Sequence, residues 1–174
     1  MKKMIIQFTR FVRKVKRAFD KFMYLEYRFK YNLPRDFRFN GEGIQFVGNG
    51  DILIGKNSYI GRYSSIQVAE NRKVIIGANC KISHFVKIYT TSSNPDQNFN
   101  NGRIENYSKD VIIGDGVWIG ASVFINPGII IGKNSVVGAN SVLTKNVPEN
   151  SIFGGVPAKL IKYKTHYEFE DRLH

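Results

Sequence analysis

The sequence predicts an all-β fold, a three-sided parallel β-helix with an N-terminal amphipathic helix, a protruding loop and a C-terminal helix. Two observations favour this fold. Aliphatic residues recur at every sixth position through much of the chain, and a basic segment with helical periodicity precedes them. The 174 residues are enough for one buried core, and 43% of them are hydrophobic, which argues against disorder.

Residues 1–38 form a predicted basic helical segment. They hold twelve Lys and Arg against three acidic residues, a balance of +9 out of the chain's +12. The helix within this segment is predicted to end before Pro34, because the residue before a proline avoids the helical region. The apolar residues recur at three- and four-residue spacing, namely Phe8, Phe11, Val12, Val15, Phe19, Phe22 and Met23.

Three roles stay open for this helix. Its aromatic face can pack on its own domain or on a neighbouring subunit. Residues 1–30 can instead lie on an anionic membrane surface, which favours basic and aromatic side chains together. Nucleic-acid binding is disfavoured, since no zinc-finger or helix-turn-helix motif accompanies the charge. With no apolar run long enough to span a bilayer, we expect a cytoplasmic protein, at most peripheral on the inner face of the membrane.

A period of six fits neither an α-helix nor a single strand, but it fits a short strand and a tight turn repeated around a prism. Turn pairs such as Lys56-Asn57 and Asp115-Gly116 tolerate positive φ between the strands. We therefore predict a β-helical domain over residues 39–157. Its inward anchors are Ile54, Ile60, Ile66, Ile76, Ile82, Ile88, Ile113, Ile119, Ile125, Ile131, Val137 and Leu143.

Two segments depart from the repeat. Residues 90–110 are polar and contain Asn94-Pro95-Asp96, so they are predicted to leave the prism as a loop, where substrate contacts concentrate. Residues 158–174 are predicted to form a helical cap. Such a cap would cover the last coil, whose strand edges are otherwise exposed.

The repeat resembles the hexapeptide-repeat acyltransferases over roughly residues 44–163, which implies a left-handed coil. Residues 110–121, 141–148 and 154–162 are similar to the acetyl-coenzyme A sites of sugar and antibiotic O-acetyltransferases. The resemblance implies a homotrimer with active sites between subunits, and it implies Trp118 in the acyl pocket. The implied cofactor contacts are main-chain groups at Gly120, Ala121 and Ala139, with Thr144, Lys145, Lys159 and Lys162 near the nucleotide and its phosphates. Amides of the pantetheine arm suit an approachable backbone, and lysines suit phosphates.

Acyl transfer to a hydroxyl needs a base, and histidine is the usual choice. Of the three histidines, His166 and His174 lie outside the repeats, and only His84 lies within them. The pattern Ile-x-His-x-x-x-Ile around His84 resembles the catalytic histidine of serine acetyltransferases and of sugar N-acetyltransferases. Galactoside, maltose and xenobiotic acetyltransferases instead carry a histidine in the loop. This chain has Ser93 and Asn94 there, which we assign to the acceptor pocket.

The leading hypothesis is an acetyl-coenzyme A dependent acetyltransferase that acts on a sugar hydroxyl, in surface polysaccharide or O-antigen biosynthesis. Because the loop histidine is missing, an N-acetyltransferase on a nucleotide-linked amino sugar is the alternative within the same class. A non-catalytic β-helical scaffold is the alternative from another class. One cysteine, Cys80, and one histidine within the repeats argue against a metal site.

Overall fold

Five coils of short strands follow one long helix in the computed structural model, which describes residues 1–165. The helix α1 spans Lys2–Lys30. In chain order the strands are β1 (Arg38–Asn40), β2 (Gln45–Gly48), β3 (Asp51–Ile54), β4 (Tyr59–Gly61), β5 (Ser65–Val68), β6 (Lys73–Ile76), β7 (Lys81–Ile82), β8 (Lys87–Tyr89), β9 (Thr91–Ser93), β10 (Asn106–Ser108), β11 (Val111–Ile113), β12 (Trp118–Ile119), β13 (Phe124–Ile125), β14 (Ile130–Ile131), β15 (Val136–Val137), β16 (Val142–Leu143), β17 (Ser151–Gly155) and β18 (Ala158–Tyr163).

Each of the first four coils sends one strand into each of three parallel sheets, which we call faces A, B and C, and the fifth coil sends strands into faces A and B. Face A contains β1, β4, β7, β12, β15 and β17, and β18 adds to its end in antiparallel orientation. Face B contains β2, β5, β8, β13 and β16, and face C contains β3, β6, β11 and β14. The prediction of a three-sided parallel β-helix is confirmed.

The core is a column of aliphatic side chains inside the prism. On face A, Ile60 pairs in register with Ile82, and Ile82 with Ile119, and each of the three is at most 1% exposed. Burying one such side chain contributes roughly 1.5–3 kcal/mol. Because the six-residue spacing brings every anchor to the same place on successive coils, these contributions repeat along the whole prism.

Small residues two positions before the anchors fill the inner corners, and their hydroxyls bind main chain of the next coil. Ser58 donates to the carbonyl of Gly77 (2.8 Å) and accepts from the amide of Cys80 (2.9 Å). A turn leaves such main-chain groups without a strand partner, so the serine satisfies groups that would otherwise be buried unpaired. At the outer edge of this corner Asn57 and Asn79 adopt positive φ of 60° and 58°, as the turn pairs predict.

The helix packs through the side that carries its tyrosines and not through its phenylalanine-rich side. Tyr24 stacks on Phe39 with ring centroids 4.4 Å apart, and Tyr27 stacks on Phe46 at 5.1 Å. Of the roles left open for the phenylalanine face, packing on this chain's own domain is wrong, because that face lies about 150° around the helix from the tyrosines at 3.6 residues per turn. Packing on a neighbouring subunit stays open. Its exposed members include Phe8, Phe11, Val15, Phe19 and Phe22.

Within residues 1–165, no helix combines the length and the hydrophobicity that crossing a bilayer requires.

The loop at residues 90–110 leaves coil 3 after β8 and returns at β11. Its stem is the antiparallel hairpin of β9 and β10, and its tip carries a short 3-10 helix, Phe99–Asn101. Gln97 holds the two arms together, since its amide donates to the carbonyls of Asn94 (2.6 Å) and Glu105 (3.0 Å). The loop is therefore an ordered projection from the corner between faces B and C.

The prediction of a C-terminal helix over residues 158–174 is wrong for Ala158–Tyr163. These residues form β18, which pairs antiparallel with β17. A strand can satisfy the main-chain groups of an open sheet edge, whereas a helix can only cover them. Residues 166–174, with the remainder of the predicted helix, lie outside the described residues.

Candidate active site

The turns that join face A to face B stack into one column, which we call the A–B corner. Its members from coil 1 to coil 5 are Gly41, Arg62, His84, Ala121 and Ala139. The amide of Phe85 donates to the carbonyl of Arg62 (3.0 Å), and that of Ser122 donates to the carbonyl of His84 (2.9 Å). Neighbouring strands lie about 4.8 Å apart. Arg62 and Ala121 therefore flank His84 at one strand spacing on opposite sides.

The imidazole of His84 is fitted against the preceding coil. Its Nδ1 is buried and has no hydrogen-bond partner within residues 1–165. A Cβ on Gly61 would lie 2.5 Å from this Nδ1 and 2.7 Å from the carbonyl carbon of Ser83. Glycine at this place is thus what leaves room for the ring. With Nδ1 against the coil, Nε2 is the nitrogen available to a molecule outside.

A buried serine holds the turn that carries His84. The Ser64 hydroxyl accepts from the amide of Val86 (3.1 Å) and donates to the carbonyl of Ser83 (3.1 Å), so it binds both sides of the histidine. Its side chain is fully buried. In the sequence, the position of Ser64 two residues before the anchor Ile66 is the one signal that points to this role.

The structure brings part of the predicted site together at the A–B corner. Gly120, Ala121 and Ala139 follow His84 on coils 4 and 5, and a Cβ on Gly120 would lie 2.5 Å from the amide nitrogen of Ala139. The glycine at position 120 thus gives room to the main chain of coil 5, whereas Ala121 and Ala139 are half-buried and exposed, respectively, and place only single methyl groups at the surface of the corner.

Other predicted residues lie on the outer surface of face A. Trp118 is 53% exposed, and its register partners are Lys81 and Val136. Lys159 and Lys162 are exposed on β18 at the end of the same face. Trp118 and Lys162 belong to one outward column along face A, with Val136 and Ile152 between them.

The remaining predicted residues lie across face B from His84. Thr144 and Lys145 follow β16, and Ser93 and Asn94 belong to the loop that follows β8. Ser93 donates to the Asn106 side chain (3.0 Å), so one role of this residue is to hold the hairpin. Within one chain, the loop residues and His84 therefore lie on two different corners. His166 and His174 lie outside the described residues.

A cleft of about 600 Å³ opens beside His84, between α1 and the first three coils. Arg13 and Arg17 line it from the helix, and Arg62 lines it from coil 2. Glu42 lies in its wall, with Oε2 3.3 Å from Lys16 Nζ and Oε1 accepting from the Tyr63 hydroxyl at 2.7 Å. These contacts, with Tyr63 first and Lys16 second, lower the pKa of Glu42, so its carboxylate is charged at neutral pH.

Curated relatives and a family model match the chain. The model described as bacterial transferase hexapeptide (six repeats) matches residues 110–145. The polysialic acid O-acetyltransferase of Neisseria meningitidis is 42% identical over 53 residues, which is 30% of this chain and 25% of that protein. The polysialic acid O-acetyltransferase of Escherichia coli O1:K1 / APEC is 38% identical over 111 residues, or 64% and 36%. The chain thus spans between a quarter and about a third of the length of these relatives.

Solved structures match over more of their length. A galactoside acetyltransferase in complex with coenzyme A has a TM-score of 0.63 and 31% identity, over 91% of this chain and 87% of that chain. AntD, an N-acyltransferase from Bacillus cereus in complex with dTDP and 3-hydroxybutyryl-CoA, has a TM-score of 0.62 and 22% identity, over 80% and 84% of the two chains. At that identity the likeness to AntD shows the fold alone.

We expect Gly61→Ala to displace the His84 ring and to destabilise the protein, because the new methyl group would meet both Nδ1 and the main chain of Ser83. The cost should be about 1–3 kcal/mol, the usual range for overpacking. Urea denaturation measures the cost, and a crystal structure of the variant shows the ring. Gly138→Ala is the matched control, because it occupies the equivalent place on coil 5 and its Cβ would come no closer than 3.4 Å to any atom. Equal effects of the two substitutions would contradict the role of Gly61.

Proposed function

Since this chain belongs to the hexapeptide-repeat acyltransferase family, we propose that it moves an acetyl group from acetyl-coenzyme A to a hydroxyl of a sugar, in the biosynthesis of a surface polysaccharide. The observation that carries this proposal is the position of His84. It lies beside an open cleft, and the A–B corner on which it lies continues with small residues on the following coils. The likeness to a galactoside acetyltransferase and to two polysialic acid O-acetyltransferases supports a sugar as the acceptor.

His84 is the proposed general base. Nε2 would accept the proton of the acceptor hydroxyl as that oxygen attacks the acetyl carbonyl carbon. The thioester C–S bond would then break, and the leaving thiolate would take up the proton from the imidazolium. A base positioned in this way contributes about 10²- to 10⁴-fold to the rate. Gly61 and Ser64 act through His84, since one makes room for the ring and the other holds its turn. They are positioning residues, because neither has to touch the acceptor.

Acetyl-coenzyme A supplies the activated acetyl group, and the A–B corner offers a fitting path for it. Gly120, Ala121 and Ala139 would hold the pantetheine amides through main-chain groups, because their small side chains permit close approach. Trp118 would line the acyl pocket from face A. The cations proposed for the nucleotide end, Lys145, Lys159 and Lys162, together with Thr144, belong to the last coil and β18 and are all exposed.

The proposed site is shared between subunits of a homotrimer. In one chain face B separates His84 from the loop with Ser93 and Asn94, and also from Thr144 and Lys145. A neighbouring prism that brings its own B–C corner to this A–B corner would unite the two groups. The separation within one chain is what supports assembly.

An amino group of a nucleotide-linked sugar is the alternative acceptor. The absence of a histidine from the loop favours it, because Ser93 and Asn94 offer no second base and an amine that binds unprotonated needs none. Under this alternative the fold, the cofactor and the cleft are the same. Removal of His84 would then lower turnover less than it would with a hydroxyl acceptor. A non-catalytic scaffold would bind no coenzyme A at all.

We also propose that the outward face of α1 contacts an anionic lipid surface. Phe8, Phe11, Phe19 and Phe22 are each more than 60% exposed along one side of a helix whose remaining surface is rich in Lys and Arg. Apolar side chains that enter the acyl boundary, with cations at the headgroups, are the arrangement such surfaces bind. A polysaccharide being assembled at the inner face of the membrane would then lie within reach.

His84→Ala should lower turnover by about two to four orders of magnitude while the affinity for coenzyme A stays unchanged, because only the proton acceptor is removed. Release of the free thiol, measured with sugars, glycans and nucleotide-linked amino sugars, follows turnover, and calorimetry follows coenzyme A binding. Ser93→Ala tests the loop separately, and a loss of turnover as large as that of His84→Ala would move the base from His84 to the loop. Near-normal turnover of His84→Ala on an amino sugar would favour the amine acceptor, and failure of the unmodified protein to bind coenzyme A would favour the scaffold.

In solution the protein should form a trimer of roughly 60 kDa, three times its 19.9 kDa chain. Light scattering coupled to gel filtration measures the mass. A fully active monomer would rule out a site shared between subunits.

Replacing Phe8, Phe11, Phe19 and Phe22 together by serine should abolish sedimentation with vesicles that contain phosphatidylserine, because the apolar anchor is removed while every cation remains. Turnover on a soluble acceptor should be unchanged. Vesicles of neutral lipid test the part played by charge, and raised salt should weaken binding of the unmodified protein. If the variant instead loses its trimer, the phenylalanine face is a contact between subunits and the membrane proposal is wrong.

A further inference from the structure

The cleft beside His84 carries positive charge that no ion pair within residues 1–165 neutralises. Three guanidinium groups line it, from Arg13 and Arg17 on α1 and from Arg62 on coil 2. None of the three forms an ion pair within residues 1–165. Arginine in a cleft without a carboxylate partner is suited to a carboxylate or phosphate from a ligand, since its planar fork can donate two parallel hydrogen bonds.

The acidic residues nearby do not cancel this charge. Glu42 is already engaged by Lys16 and Tyr63, so its carboxylate is matched by a lysine outside the three arginines. Asp20 is the other carboxylate on this side of α1, and it has no ion-pair partner within the described residues. Together four cations face two carboxylates, and a surplus of two positive charges remains beside the proposed base.

The order of residues along the A–B corner separates this cleft from the proposed cofactor path. Arg62 precedes His84 by one coil, whereas Ala121 and Ala139 follow it by one and two coils. With about 4.8 Å between coils, the arginines lie on the opposite side of the imidazole from the small-residue path. A molecule held by the arginines would thus approach His84 from the acceptor's side.

We propose that the acceptor is an anionic sugar, whose carboxylate or phosphate is bound by Arg13, Arg17 and Arg62 while one of its hydroxyls faces Nε2 of His84. This inference rests on the proposed function and names the class of substrate for the same cleft. It also gives α1 a part in the active site, because two of the three guanidiniums come from the helix.

The test compares charged and neutral forms of one acceptor. Tetragalacturonate and its fully methyl-esterified form share one sugar chain and differ in the charge of the carboxyl groups and one methyl group on each, and a sugar phosphate such as glucose 1-phosphate tests phosphate against carboxylate. The unmodified protein should acetylate and bind the acid or the phosphate at least tenfold better than the ester. Arg17→Gln and Arg62→Gln should each lower kcat/KM and affinity for the charged acceptor roughly ten- to a hundredfold, with little change for the ester.

Arg10→Gln is the matched control, since it removes a guanidinium from an exposed part of the same helix outside the cleft. Thermal denaturation verifies that each variant is folded. Equal preference for acid and ester in the unmodified protein would overturn the inference. So would variants whose KM rises for acetyl-coenzyme A rather than for the acceptor, because the arginines would then serve the cofactor phosphates.

Calorimetry separates failure of this inference from failure of the proposed function. If the unmodified protein binds tetragalacturonate and the arginine variants do not, the anionic site stands even where no acetyl group is transferred. In that case only the proposed transferase activity is wrong. If acetyl transfer occurs and depends on His84 but is indifferent to acceptor charge, the proposed function stands and the anionic acceptor is excluded.

Discussion

The whole molecule depends on the hydrogen bonds that hold each coil in register with the next. Since the parallel strands of faces A, B and C pair with strands one coil away, a residue on a face has as its register partners the residues at the same place on adjacent coils. The aliphatic anchors must therefore match in size along a column. The corners must offer hydroxyls such as that of Ser64 to the turns, because main-chain groups there have no strand partner.

The same register makes the A–B corner a linear site with fixed spacing. Arg62, His84 and Ala121 occupy one column, so their order in the chain is their order in space, about 4.8 Å apart. Chemistry changes along the column while the main chain does not. The column presents a cation, then an imidazole, and then a residue with a small side chain. Gly61 makes this order possible, because the absence of a Cβ there leaves room for the imidazole ring.

The helix combines two surfaces that are usually found on separate elements. Tyr24 and Tyr27 fasten it to the first coil, which turns Arg13 and Arg17 toward the cleft. The same rotation leaves the phenylalanine face outward. In an ordinary amphipathic helix the apolar face packs on the core. Here the aromatic residues of β1 and β2 pack against the tyrosines of the helix instead. One element can thereby serve the acceptor and a second surface at once.

The sequence alone determined the prism, its aliphatic core and the helix over the basic segment, because a six-residue period and a helical periodicity are properties of neighbouring positions. It also singled out His84 as the candidate base, which stays a prediction. Only the tertiary structure decided which side of α1 packs. The phenylalanine face is the more apolar one in sequence, but the choice rests on the contacts of Tyr24 and Tyr27 with Phe39 and Phe46. The tertiary structure also decided that Ala158–Tyr163 form a strand, because the open edge of face A supplies hydrogen-bond partners that local propensity does not include. The tertiary structure also brings together four residues of the cleft, Arg13, Arg17, Arg62 and His84. The helix residues lie more than sixty positions from His84 in the chain, so their proximity depends on the angle of the helix as well as on the register of the coils.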